Sequence, residues 1–334
     1  MVLSAPSYFG IAAFRRTASN GMGNRLTDAK LRASLVAVRC APPRFWDTDC
    51  MADEPFNPLR RAIVRNVRAV FNDTASGERP VPPSDEALFV RDTPIRMVHA
   101  DVTAMMVGGV SALLLQMLHP HALRGVLDHS TFRTDLHGRL RRTARFIAVT
   151  TYGHRDEAEH AIARVNSIHR SVTGTLPDGT PYSATEPSVL AWVHLAEATS
   201  FLDAHLRYVR PAMPQAERDH YFAQFAEIAR RLHADPVPTS ESEARVLMRD
   251  MRSDLQGSAD ARTVAAEILS PVGQRGASRA LQPLLARAAV DLLPRFAVSM
   301  LGLRKPALSA VPVRAGTAAI GHTLRWAFGS QRRE

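Results

Sequence analysis

Residues 102–118 read VTAMMVGGVSALLLQML, and the reading of this stretch decides the fold. It contains no charged side chain. It is too long for an ordinary strand and shows no polar face, so it is read as a helix that is apolar on every side. Such a helix is either buried in a protein core or placed in a membrane. A span needs roughly 18–20 uninterrupted apolar residues. Here Gly108, Gly109, Ser111 and Gln116 interrupt a shorter run, which favours a core helix. The glycine pair then serves close helix packing, with no phosphate-binding role. The pattern predicts one helix from Pro94 to Leu118, ended by Pro120.

Outward from this stretch the pattern stays helical. Upstream, Arg60 to Phe71 is amphipathic, and Asp73 to Asp85 (DTASGERPVPPSD) is a linker. Downstream, helices are expected over Arg139 to Tyr152 and Asp156 to Thr173, each followed by a glycine at a C-cap position, Gly153 and Gly174. Thr175 to Ala184 is turn-rich and long enough for a small hairpin. Pro187 and Pro214 sit where proline opens a helix, and Ser240 with Glu243 has capping-box spacing. Leu281 to Leu303 is expected to be the most apolar of the later helices, and Ala315 to Phe328 forms the last. No internal repeat and no alternation of strands is present. The fold class is therefore all-α, a single multi-helix domain. It divides into an extension or over-called start at 1–50, an N-terminal helix and linker at 51–86, a helical core at 87–310 and a basic C-terminal helix at 311–334.

The composition narrows the function. The formal net charge is +10, but residues 1–50 hold seven basic and three acidic side chains and residues 304–334 hold six and one. The body between them carries 29 basic against 28 acidic groups, without the basic excess of a nucleic-acid reader. Forty of the 42 basic residues are arginine, a usage read as GC-rich, bacterial coding. Cys40 and Cys50 are the only cysteines. A disulfide framework, a thiolate-ligated haem and a covalent haem attachment are thereby excluded from the body, and a cytoplasmic location is the simplest expectation. No transmembrane segment is expected; contact of the apolar Leu281–Leu303 helix or the C-terminal helix with a membrane surface is weaker than their reading as core and solvated face.

Thirteen histidines supply most of the candidate chemistry. His154, His160, His220 and His233 sit among charges and are read as solvated. His169 lies on the stripe Ile162, Val165, His169, Val172, one helix face turned to the core. A neutral imidazole there needs a hydrogen-bond partner or a metal. His119 and His194 have apolar neighbours and are read first as core histidines. Arg139 and Thr143 share a face of the preceding helix, with Arg142 beside it, either as snorkelling surface groups or as partners of a buried anion. A rival pattern is a di-iron site built from Glu157-x-x-His160 and Glu217-x-x-His220 with Glu197 and Glu267. Both motifs, however, occupy charged first turns, where acids favour the helix dipole.

Taken in order, these features carry a resemblance: Gly108-Gly109, Leu118-His119-Pro120, Asp128-His129-Ser130, Gly138-Arg139-Leu140-x-x-Thr143, Tyr152-Gly153, His169-x-x-Val172-x-Gly174, Gly179-x-x-Tyr182-x-Ala184 and Trp192-Val193-His194. The set resembles the catalytic domain of the rubber oxygenases (latex-clearing proteins) and MpaB-type oxygenases, over about residues 87–310. The resemblance implies a globin-like helical core holding non-covalent haem b. It implies His169 as the iron ligand, with His194 in reserve, and Arg139, Arg142 and Thr143 beside the distal side or the propionates. Arg142 stands where the family pattern has lysine and cannot act as a neutral base. It further implies dioxygen and an unsaturated apolar or lipid-like small molecule as substrates. A non-catalytic haem- or lipid-binding protein is the alternative from another class.

Overall fold

The computed structural model describes residues 58–72, 78–130, 136–270, 277–306 and 309–329. The expected extension at 1–50 lies outside them, as does part of the linker. The described chain runs α1 (Pro58–Phe71), α2 (Pro94–Val98), α3 (Val102–Gln116), α4 (Pro120–His129), α5 (Leu136–Tyr152) and α6 (Arg155–Ser171). A hairpin of β1 (Thr173–Thr175) and β2 (Pro181–Ser183) follows, antiparallel, with Gly174 opposite Tyr182. Then come α7 (Pro187–Tyr208), α8 (Gln215–Arg231), α9 (Glu241–Asp250) with a 3₁₀ turn at Met251–Asp254, α10 (Ala259–Leu269), α11 (Ala277–Leu292), α12 (Arg295–Met300) and α13 (Ala310–Gly329). The fold is all-α.

α3 and α7 form the most extensively packed pair. Ala104, Val107, Leu114, Leu115 and Leu118 on α3 and its end, and Trp192, Leu195, Ala196 and Phe201 on α7, are essentially removed from solvent. The pair approaches closely because Gly108 has no side chain: a Cβ there would lie 2.9 Å from the Ser200 carbonyl oxygen and 3.0 Å from Phe201 Cδ1. Near the other end of α3, Trp192 Nε1 donates to the Leu115 carbonyl at 3.2 Å.

Two expected helices are each divided in two. The Pro94–Leu118 helix breaks at residues 99–101, because Asp101 is extended and caps α3 instead, its carboxylate accepting from the Ala104 N–H at 2.8 Å. The other Asp101 oxygen accepts from Arg325 at 2.7 Å, which pins α13 to the start of α3. The Leu281–Leu303 run divides at Pro294 into α11 and α12. Buried Asp291 on α11 binds Arg314 of α13 at 2.7 and 3.0 Å and Arg207 of α7 at 2.9 Å, so α13 packs as part of the body. Among the described residues no single helix is long and apolar enough to cross a membrane. The α3–α4 pair passes by length and composition, but it bends by 105° and α3 is buried in the fold.

The glycine pair yields a test. Gly108→Ala places a methyl against backbone and is expected to cost about 1–3 kcal/mol, seen as a lowered midpoint in a thermal melt. Gly109→Ala meets only Phe201 at 3.8 Å, so helix propensity decides and roughly 0.5–1 kcal/mol is gained. Equal shifts of the same sign in both variants would contradict the close approach.

Candidate functional site

The interior polar groups cluster where α3, α5, α6, α7 and α8 meet. α6 carries His169 on its inward face, as the Ile162–Val165 stripe predicts. Its Nδ1 is enclosed without a hydrogen-bond partner, and burial lowers its pKa. α7 carries His194, which is buried and likewise has an unpartnered Nδ1. Burial first, then the neighbouring His169, lowers His194 to about 4. Two imidazoles from two helices thus act on one another electrostatically, each with an uncommitted interior nitrogen.

One turn after His194, on the same face of α7, comes Glu197. Its Oε1 accepts from Gln116 Nε2 of α3 at 3.3 Å. Burial raises its pKa to about 7, against the lowering effects of that hydrogen bond and of Arg139. Arg139 reaches this region from α5. Burial first, then Arg142, lowers its pKa, while Glu197 raises it. Arg139, Glu197 and Gln116 therefore form one polar group, and α7 links it to His194, on which His169 acts. Arg142 and Thr143 do not join it: both side chains are exposed on α5, although Arg142 is near enough to act on Arg139.

The far wall is aromatic. Tyr221 of α8 is fully buried with its hydroxyl unpartnered, and its pKa is raised well above 10 by burial, then by Glu197 and Asp203. The Phe225 ring stands 5.9 Å from His194 and 6.0 Å from His99. His99 is 1 % exposed, shares a hydrogen bond with Thr151 Oγ1 at 2.9 Å, and is driven to about 3 by burial and then by His205. Toward α8, His194 faces a crevice of about 10 Å³ between Phe222 and Phe225, room for at most one water. His169, less enclosed, is the more accessible ligand.

The di-iron arrangement does not form. Glu157, His160 and His220 are exposed, and Glu217 is engaged by Arg210 at 3.0 Å. Among the described residues no group of three or more His, Cys, Asp or Glu is placed to hold a metal ion. A haem iron needs a single protein ligand, and His169 and His194 each have an interior ring nitrogen without a hydrogen-bond partner. One neutral imidazole with a free nitrogen would meet the ligand requirement of a haem iron.

Residues 96–326 match the family model described as ER-bound oxygenase mpaB/B'/Rubber oxygenase, catalytic domain. The chain belongs to this family. The match opens within α2 and closes within α13, so every residue of the site lies in the mpaB/rubber-oxygenase catalytic domain and α1 precedes it. Membership supports oxygenase chemistry for the chain. No curated protein and no solved structure matches it.

Sequence reasoning placed His169, His194 and Arg139 here, and missed Gln116, Tyr221, His99 and the part Glu197 plays. The one local signal for Glu197 was its i+3 spacing from His194.

The buried imidazoles of this oxygenase domain set its response to acid. Besides His99 and His194, His119 and His205 are lowered to about 4, in each case chiefly by burial. Unfolded histidine takes a proton near pH 6.5, whereas these do not until about pH 3–4. Below pH 6.5 the unfolded chain binds more protons and stability falls, each group costing at most roughly 2 kcal/mol at pH 5. Glu197 (about 7) and Asp203 (about 6) act in the opposite sense, because the folded form takes their protons first. Urea melts should give a lower unfolding free energy at pH 5 than at pH 7, with a shallower pH slope in His99→Gln. An unchanged slope in that variant would contradict the neutral burial of His99.

Proposed function

We propose that this chain is a haem b-dependent oxygenase that uses dioxygen to attack an unsaturated, apolar or lipid-like small molecule. The observation that carries the reading is the pair of buried, unpartnered imidazole nitrogens of His169 and His194, inside a domain of an oxygenase family. His169 holds the iron, since His194 is closed in by Phe225 and the narrow crevice. The cysteine-free body leaves imidazole, and no thiolate, for this role.

Bound haem b supplies the redox-active iron that activates dioxygen. The protein does the rest. Arg139 brings an enclosed guanidinium with no hydrogen bond to a described residue, which suits a carboxylate of the porphyrin edge. Glu197, balanced near neutrality, keeps its Oε1 on Gln116 and holds or releases a proton at Oε2. Tyr221, Phe225 and Phe201 keep water from this region and give an apolar substrate a dry wall. Arg142 and Thr143, on the exposed side of α5, act from outside, Arg142 through its charge on Arg139. The cysteine usage supports a cytoplasmic location, and with it a small intracellular substrate in place of an external polymer.

Expression with a haem precursor and a pyridine haemochrome assay separate the two histidines. His169→Ala should lose haem at least tenfold and His194→Ala should keep most of it; normal haem content in His169→Ala would sink the assignment. Oxygen uptake with an unsaturated hydrocarbon such as squalene tests turnover. Glu197→Gln should lower that rate by about 100-fold and remove the pH limb near 7, with haem content unchanged. A haem-loaded protein with no substrate-dependent uptake would make it a binding module instead.

A further inference from the structure

A second cavity lies away from the site above. It occupies about 370 Å³ between α3, α7, α9 and α12, and none of Arg139, His169, His194 or Glu197 lines it. Phe222 stands between the two regions, lining both this cavity and the crevice at His194.

The cavity has two kinds of wall. Leu115, Leu202, Phe222 and Met248 form an apolar floor. Arg245, Arg249 and Arg252 form a cationic rim, at successive i, i+4 and i+7 positions. Arg245 is bound to Glu241, which Arg218 also holds at 3.1 Å from outside the cavity. Asp203, the other acid in the wall, is raised to about 6 by burial and then by Glu241, while Arg207 and Arg245 oppose the rise. Arg249 and Arg252 are left over: neither guanidinium has a hydrogen bond or ion pair with a described residue. Arg252 is held in place at 4.4 Å over the Phe296 ring, an apolar support that leaves its donors free. With Glu241 doubly compensated, the rim carries excess positive charge.

We infer that this cavity binds an amphipathic carboxylate, its head group on Arg249 and Arg252 and its alkyl tail on the Leu115–Phe222–Met248 floor. Planar guanidinium donors match a carboxylate, and a bare inorganic anion would have no use for the floor. The volume is at the lower end of the roughly 300–1,000 Å³ typical of small-ligand pockets, which selects a medium chain over a long lipid. The site does not rest on the haem reading, because none of Arg139, His169, His194 or Glu197 lines it, and Phe222 alone borders both it and the His194 crevice.

Isothermal titration calorimetry of the full chain with octanoate, 1-octanol and inorganic phosphate tests this. Octanoate should bind at least tenfold more tightly than either 1-octanol or phosphate. The double variant Arg249→Ala, Arg252→Ala changes two exposed side chains and should fold normally while weakening octanoate tenfold or more. Met248→Trp, which fills the floor, should abolish binding. Four results would each overturn the proposal: no octanoate binding, 1-octanol bound as tightly, phosphate bound as tightly, or an unaffected double variant.

Discussion

Backbone contact between α3 and α7 at Gly108 is the constraint on which the rest of the molecule depends. A helix without a polar face has to be covered all round, and α3 is covered most closely where its glycine meets the Ser200 carbonyl. That contact sets the depth and rotation of α7, the longest helix described, with 22 residues. Eight residues on from Gly108, about 12 Å along the axis, Gln116 meets Glu197. Trp192 bonds the same end of α3 through Leu115. The residues that close the packing and those that build the site therefore alternate on one helix pair, and a shift in one moves the other.

Around that pair the protein keeps polar groups that a core built only for stability would exclude. Unpartnered imidazole nitrogens on His169 and His194, an unpartnered Tyr221 hydroxyl and a carboxyl raised to about 7 all disfavour folding. Departures from local consistency of this kind concentrate at functional sites. The contrast with Asp291 and Asp101 is informative. Those buried acids are fully matched by arginines, and they fasten α13 to the body.

Much of this was legible in the residues. Proline at helix starts and the 3.6-residue periodicity located α5 to α9 to within a few positions, and the small hairpin was foreseen from TLPDGTPYSA. The order of the motifs identified the oxygenase family. What was lost has physical reasons. Asp101 ahead of an apolar run was a capping signal overridden by the apolar continuity around it, and Pro294 was hidden in the same way. The inward placement of His169 was legible because a polar residue on an apolar stripe is visible locally. Glu197 was legible only as a carboxylate of the di-iron alternative, because the groups that act on it, Gln116, Tyr221 and Arg139, are distant in sequence and brought together only by tertiary packing. Arg142 and Thr143 read as companions of Arg139, and helical spacing does put Thr143 on its face, yet both side chains are exposed because no other described element covers that part of α5.

The central claim is that the two interior imidazoles face a haem. The most direct measurement is the ultraviolet–visible spectrum of the purified full chain, expressed with added haem precursor, before and after dithionite. The account predicts a Soret band that shifts on reduction, at close to one haem per chain. A protein that stays colourless after reconstitution with haemin would contradict it, leaving an oxygenase-family helical domain whose unpartnered histidines serve another ligand.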